Sequence, residues 1–275
     1  MHYDQISLIS HLGARVEEFF AHVGRITILF SQAVFFVFKP PYRIRLIVEQ
    51  MNQVGVQSLP IVLLTATFTG MVLVLQTAVG LERYGAEIQA SGIAAVAFAR
   101  EMGPVLTSVM LAGRVGAGIA AEVGTMKVTE QIDALRTLAT NPIHYLVVPR
   151  LVAATIMVPV LTVLADVIGL GGGYLVGVYN IGISPKMYLS TTREWLLLPD
   201  LASGVFKTPF FGMIIATIAC YQGFQATGGA EGVGKATTKA VVMGAILILI
   251  SNYFLTDLAL EYSDPVLRWL EGLIL

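Results

Sequence analysis

The chain has 275 residues, 56% of them hydrophobic and only 13% charged, with a mean hydropathy of +0.76. No soluble core of this length needs so much apolar surface, so the composition excludes an ordinary soluble globular protein and points to a chain that lives in a bilayer. A net charge of −1 without a basic stripe sets nucleic acid aside, and the single cysteine, Cys220 in an apolar run, excludes an intramolecular disulfide and a Cys/His metal site.

In chain order, the first residues carry Arg15, Glu17, Glu18 and Arg25 with neither a continuous apolar stretch nor a small-residue cleavage site. No cleavable signal peptide is expected, and insertion falls to the spans. Residues 26–38 are apolar but, at about 13 residues, too short to cross; closed by Lys39, Pro40 and Pro41, they read as an interfacial or elbow helix. Five segments reach the length a span needs: 59–81, 92–113, 146–179, 201–221 and 240–260. The expected architecture is an all-α integral membrane protein of five transmembrane helices. Residues 1–58 form an N-terminal region, 59–262 the membrane domain and 263–275 a tail.

Orientation follows from the flanking cations. With the N-terminus inside, the inner segments hold Arg15, Arg25, Lys39, Arg43, Arg45, Lys127, Arg136, Arg150, Lys235 and Lys239, against Arg83, Lys186, Arg193 and Arg268 outside. Ten against four places the N-terminus in the cytoplasm and the C-terminus outside.

Between the second and third spans, residues 114–150 form a polar island. Val128, Ile132, Leu135 and Ala139 fall in one narrow helical stripe, with Lys127, Glu130, Asp133 and Arg136 opposite. Gly124 is expected to break the chain before this helix and Asn141 with Pro142 to end it, giving a cytoplasmic helix over 125–139. Its pattern fits either an amphipathic helix at the headgroups or a coupling helix that carries force from a soluble motor.

Charges inside the spans cost free energy unless paired or wetted, and so mark functional candidates. Arg100 and Glu101 lie in the second span and Lys207 in the fourth. At the helical rise per residue, Gln76, Arg100, Glu101, Lys207 and Asn252 all fall roughly 8 to 14 Å below the outer surface. Polar groups from four helices at one level suit the anionic headgroup of a lipid; the competing reading is that the charges only neutralise one another as buried glue. Asp166 and Asp257 are weaker candidates, and Pro104 should kink the second helix. Small residues recur every fourth position at Gly113, Ala117 and Ala121 and at Gly169, Gly173 and Gly177, which allows close helix approach within one subunit or between two.

Three enzyme readings fail. GAEGVGK at 229–235 imitates a phosphate-binding loop, but Ala236 stands where a magnesium-holding hydroxyl belongs and the segment follows a membrane helix, so it reads as a flexible turn. The histidines His2, His11, His22 and His144 form no H-E-x-x-H arrangement, and no G-x-S-x-G occurs.

AREMGPVLTSVMLAGRVGAGIAAEVGTMKVTEQIDALRTLATNPIHYLVVPR at 99–150 resembles the signature region of the MlaE (YrbE) permeases, the membrane subunits of ABC transporters that move phospholipids between the two membranes of Gram-negative bacteria. GGGYLVG at 171–177 and GKATTKAVV at 234–242 extend the resemblance over roughly residues 40 to 262. It implies an inner-membrane homodimer with an outward-facing lipid cavity, maintaining outer-membrane lipid asymmetry, with no catalytic residue or cofactor of its own. ATP would be bound by an MlaF-like ATPase, alongside an MlaB-like STAS protein and an MlaD-like hexameric MCE protein. By motif, Arg100 and Glu101 take the Arg-Glu-x-Gly-Pro positions, while Glu122, Lys127, Glu130 and Asp133 belong to the coupling region, with Val128, Ile132, Leu135 and Arg136 on the same helix. Without the resemblance, a secondary transporter or a membrane scaffold with a buried charge relay is the alternative.

Overall fold

The computed structural model describes residues 2–274, with side-chain environments for 17, 18 and 20–261. The described residues contain helices and no strand, as expected of a chain that must satisfy its backbone polar groups inside lipid. The helices are α1 His2–Val37, α2 Ile44–Val54, α3 Leu59–Glu82, α4 Ala90–Ala97, α5 Gly103–Leu111, α6 Ala117–Val128, α7 Gln131–Thr137, α8 Val148–Tyr179, α9 Pro185–Trp195, α10 Leu198–Phe224 and α11 Gly229–Ile274. The tail 263–275 lies outside the described side chains.

Six stretches are long and apolar enough to cross a membrane: Phe20–Val37, Ile44–Glu82, Glu87–Val128, Ile143–Tyr179, Leu198–Phe224 and Gly229–Glu261. The first differs from the sequence expectation, which began its apolar count after Arg25. The helix runs through Arg25, and 18 residues from Phe20 meet the length of a span; a cation near a span end is tolerated because its side chain snorkels.

α8 is the central post, packed most extensively on α3 and α10 and also on α2 and α5. The contacts are close because glycines remove the side chain where backbones meet. A Cβ on Gly70 of α3 would overlap the Gly169 carbonyl of α8, and one on Gly172 would sit 2.5 Å from the Thr67 carbonyl oxygen. Gly177 packs on the Tyr188 ring of α9, so the glycines of the third span serve packing within one subunit.

Two π-helical turns precede prolines. Phe98–Met102 lies before Pro104, and Ile143–Val147 before Pro149. A proline has no N–H for the carbonyl four residues back and its ring crowds that carbonyl, and a wider turn relieves both. The expected disturbance at Pro104 therefore takes the form of a π-turn, and Arg100 and Glu101 sit on it.

Three expectations need correcting on the polar side of the bundle. Gly124 does not break the chain: it is buried in α6 with Ala226 and Val233 against it, so packing overrides its poor helix propensity. The break falls at Glu130, in the left-handed region at φ 61°, and again at Ala139 at φ 54°. The single helix over 125–139 is thus two elements, and Val128 and Ala139 do not extend one stripe with Ile132 and Leu135. Finally, 229–235 is no flexible turn. The chain reverses at Gly228 and Gly229, both at positive φ, and the rest forms the first turns of α11, where Lys235 pairs with Glu231 at 2.6 Å.

Candidate functional site

The π-turn at Phe98–Met102 aims two adjacent charges at α10. Arg100 donates from Nε and Nη2 to Asp200 Oδ1 at 2.7 and 2.5 Å, and Glu101 Oε1 accepts from Lys207 Nζ at 2.8 Å. Asp200 and Lys207 are seven residues apart, two turns along one face of α10. A cation and an anion on one helix thus meet an anion and a cation on the other. Sliding α10 by one turn would separate both pairs, so the charges fix its register.

Asp200 has a second task. As the third residue of α10, it accepts the Leu197 backbone N–H at Oδ2, 2.9 Å away, satisfying one of the orphan donors at the helix start. Gly204, between the two charged residues, lets α10 approach so closely that a Cβ there would overlap the Ala99 carbonyl oxygen.

α11 completes the cluster. Asn252 donates from Nδ2 to Glu101 Oε2 at 2.8 Å, and Thr256 donates to Glu101 Oε1 at 2.9 Å while accepting from Lys207 at 3.0 Å. Both carboxylate oxygens of Glu101 are engaged, and Lys207 is 2% exposed. A buried ion pair so fully hydrogen-bonded is the arrangement in which mutual attraction offsets the cost of desolvation. Two groups stay open: Asn252 Oδ1 is buried with no partner among the described residues, and Arg100 keeps 44% of its side chain exposed with Nη1 making no hydrogen bond to them.

Of the five sequence candidates, Glu101, Lys207 and Asn252 meet, Arg100 is adjacent but paired elsewhere, and Gln76 lies exposed on α3 with no hydrogen bond to the cluster. Sequence reasoning missed Thr256 and Asp200. Thr256 was findable, since it lies four residues after Asn252 on one helical face. Asp200 lies one residue outside the expected fourth span of 201–221, where a charge costs little and gives no signal. Asp257 is exposed, whereas Asp166 is 2% exposed on α8, with Oδ1 against Gly103 and neither oxygen partnered among the described residues.

The second candidate region lies at the α6–α7 end. Lys127 and Arg136 share Asp133, at 3.1 and 3.0 Å, bracing α7 across the break at Glu130. Glu122 pairs with Arg150 at 2.9 Å, tying α6 to α8. Ile132 is wholly buried in the chain's own core and Leu135 packs beside it, so this part of the stripe faces inward. The outer face consists of Gln131, Ala134, Thr137 and Leu138, the last 75% exposed.

Comparison with known proteins bears directly on this geometry. The family model described as Permease MlaE matches residues 47–258. A probable ABC transporter permease protein of Rickettsia conorii is 46% identical over 92% of this chain and 97% of its own length. The intermembrane phospholipid transport system permease protein MlaE of Haemophilus influenzae is 37% identical over 91% of this chain and 97% of its own. A chloroplastic protein of Arabidopsis thaliana named TRIGALACTOSYLDIACYLGLYCEROL 1 is 38% identical over 88% of this chain and 69% of its own. The match takes in both the charged cluster and the α6–α7 element, and the chain belongs to the MlaE family of ABC-transporter permeases, multi-span membrane proteins.

Proposed function

We propose that this chain is the membrane subunit through which phospholipids pass between the inner and outer membranes of a Gram-negative bacterium, driven by ATP hydrolysed on a separate cytoplasmic subunit. The observation that carries the reading is the division of labour at the π-turn: Glu101 is consumed by internal partners, while Arg100 keeps a guanidinium edge open to an anionic phosphodiester. In this reading Glu101, Lys207, Asn252 and Thr256 hold three helices at the depth where the headgroup sits, and Arg100 touches it. The Haemophilus influenzae relative, an intermembrane phospholipid transport system permease protein by name, supports the cargo class.

The outer face of α7, with Leu138 as its apolar centre and Glu130 and Arg136 at its rim, receives an MlaF-like ATPase. Five spans cross the bilayer and α1 lies along the interface, its apolar stretch being the shortest of the six at 18 residues and carrying Arg25 within it. Two copies form the permease, with an MlaB-like STAS protein on the cytoplasmic side and an MlaD-like MCE hexamer outside. A photocrosslinker replacing Arg100 in native membranes tests the cargo site: a phospholipid adduct is expected, and its absence overturns the assignment.

A further inference from the structure

A cleft of about 880 Å³ opens at the α6–α7 end of the bundle, where its wall residue Tyr221 lies about 21 Å along α10 from Lys207 of the Glu101 cluster. Its walls bring together Arg25 of α1, Lys127 of α6 and Arg136 of α7, with Asn141 and Gln225 as neutral polar groups. Among the described residues, the one carboxylate bonded to these cations is Asp133, which Lys127 and Arg136 share. Arg25 meets the ring of His22, at 3.1 Å, and no carboxylate among the described residues, so the cleft holds three cations against one anion.

An independent observation points to a missing ligand. Tyr221, which forms part of the wall, is 3% exposed, and its hydroxyl has no hydrogen-bond partner among the described residues. An unmatched buried hydroxyl is costly unless something occupies the space beside it. The rim is apolar on the α1 side, where Ile28 is 56% exposed and continues the greasy surface of that helix.

We infer that this cleft binds the phosphodiester headgroup of an anionic phospholipid from the adjoining leaflet, with its acyl chains running along α1. Arg25 and Arg136 grip the phosphate oxygens, Tyr221 donates to one of them, and the excess positive charge selects an anionic headgroup over a zwitterionic one. Such a lipid ties α1 to α7 and braces the element that carries Leu138. It is distinct from the cargo proposed at Arg100.

The test uses the purified full-length chain, delipidated in detergent, with bound lipid counted by native mass spectrometry during titration. Phosphatidylglycerol should bind about tenfold more tightly than phosphatidylcholine, and Arg25→Ala and the milder Tyr221→Phe should each reduce that preference several-fold. Arg100→Gln, which alters the proposed cargo site, should lower the number of bound lipids without removing the preference for phosphatidylglycerol, and inorganic phosphate should compete only weakly, since it brings no acyl chains. The inference is overturned if both cleft variants keep the full preference, if the preference follows Arg100, or if inorganic phosphate displaces the lipid at equal concentration, which marks a free-anion site.

Discussion

Glu101 and Lys207 are joined at 2.8 Å between the π-turn and α10, and the pair is asymmetric: 2% of the lysine side chain is exposed against 35% of the glutamate's. The buried member is the one that depends wholly on its partner. Removing either charge strands the other, and the two losses should not be equal.

Glu101→Leu leaves the Lys207 ammonium with Thr256 alone and should cost about 3 to 5 kcal/mol of stability. Lys207→Met leaves a carboxylate that still has Asn252 and Thr256, so its cost should be smaller. The double variant should recover much of the loss, because two well-packed apolar groups need no compensation. Thermal unfolding of the four proteins in detergent gives the cycle; additive losses would show that the pair does not act as a unit.

Gly204→Ala pushes a methyl group into the Ala99 carbonyl, where backbone and not a flexible side chain must yield, and should cost about 1 to 3 kcal/mol while loosening both ion pairs. Gly118→Ala has nothing within 4 Å and should be neutral or stabilising by up to about 1 kcal/mol through helix propensity. Equal effects at the two positions would contradict the close approach of α10.

At the opposite end, Ile132→Asp and Leu138→Asp separate folding from docking. Ile132 is wholly buried, so the aspartate should cost at least about 3 kcal/mol and release α7 from the bundle whether or not an ATPase is present. Leu138 is 75% exposed, and its aspartate should leave the melting temperature of the isolated chain unchanged while reducing ATPase recovery in pull-down. Full recovery with Leu138→Asp would remove the outer face of α7 as the docking surface.

Much of this organisation is legible in the sequence because charges in a span are expensive and therefore conspicuous. Glu101, Lys207 and Asn252 stand out for that reason, and a common depth is enough to bring them together. Their pairing is not legible, because it depends on a π-turn that advances the helical phase before Pro104 and sends Arg100 to Asp200. Gly124 misleads for a different reason: propensity measured in water ranks glycine as a breaker, whereas in this bundle α6 needs a small residue against Ala226. The wheel over 125–139 shows the inward stripe at Ile132 and Leu135 but fits a headgroup-level helix and a coupling helix alike, since periodicity shows that a partner exists and not whether it belongs to the same chain.

Arg100→Ala probes the cargo reading. Asp200, whose side chain is 5% exposed, keeps the Leu197 N–H but loses both arginine hydrogen bonds, so about 3 to 5 kcal/mol of stability is at stake and assembly of the complex is checked first. The decisive measurement is phospholipid moved per ATP hydrolysed, by this chain reconstituted in membranes with its ATPase partner, for the native protein and for Arg100→Ala. The account predicts a fall of about tenfold or more in lipid per ATP with the assembled complex intact. An unchanged ratio would contradict it and leave Arg100, like Glu101, as part of the framework alone.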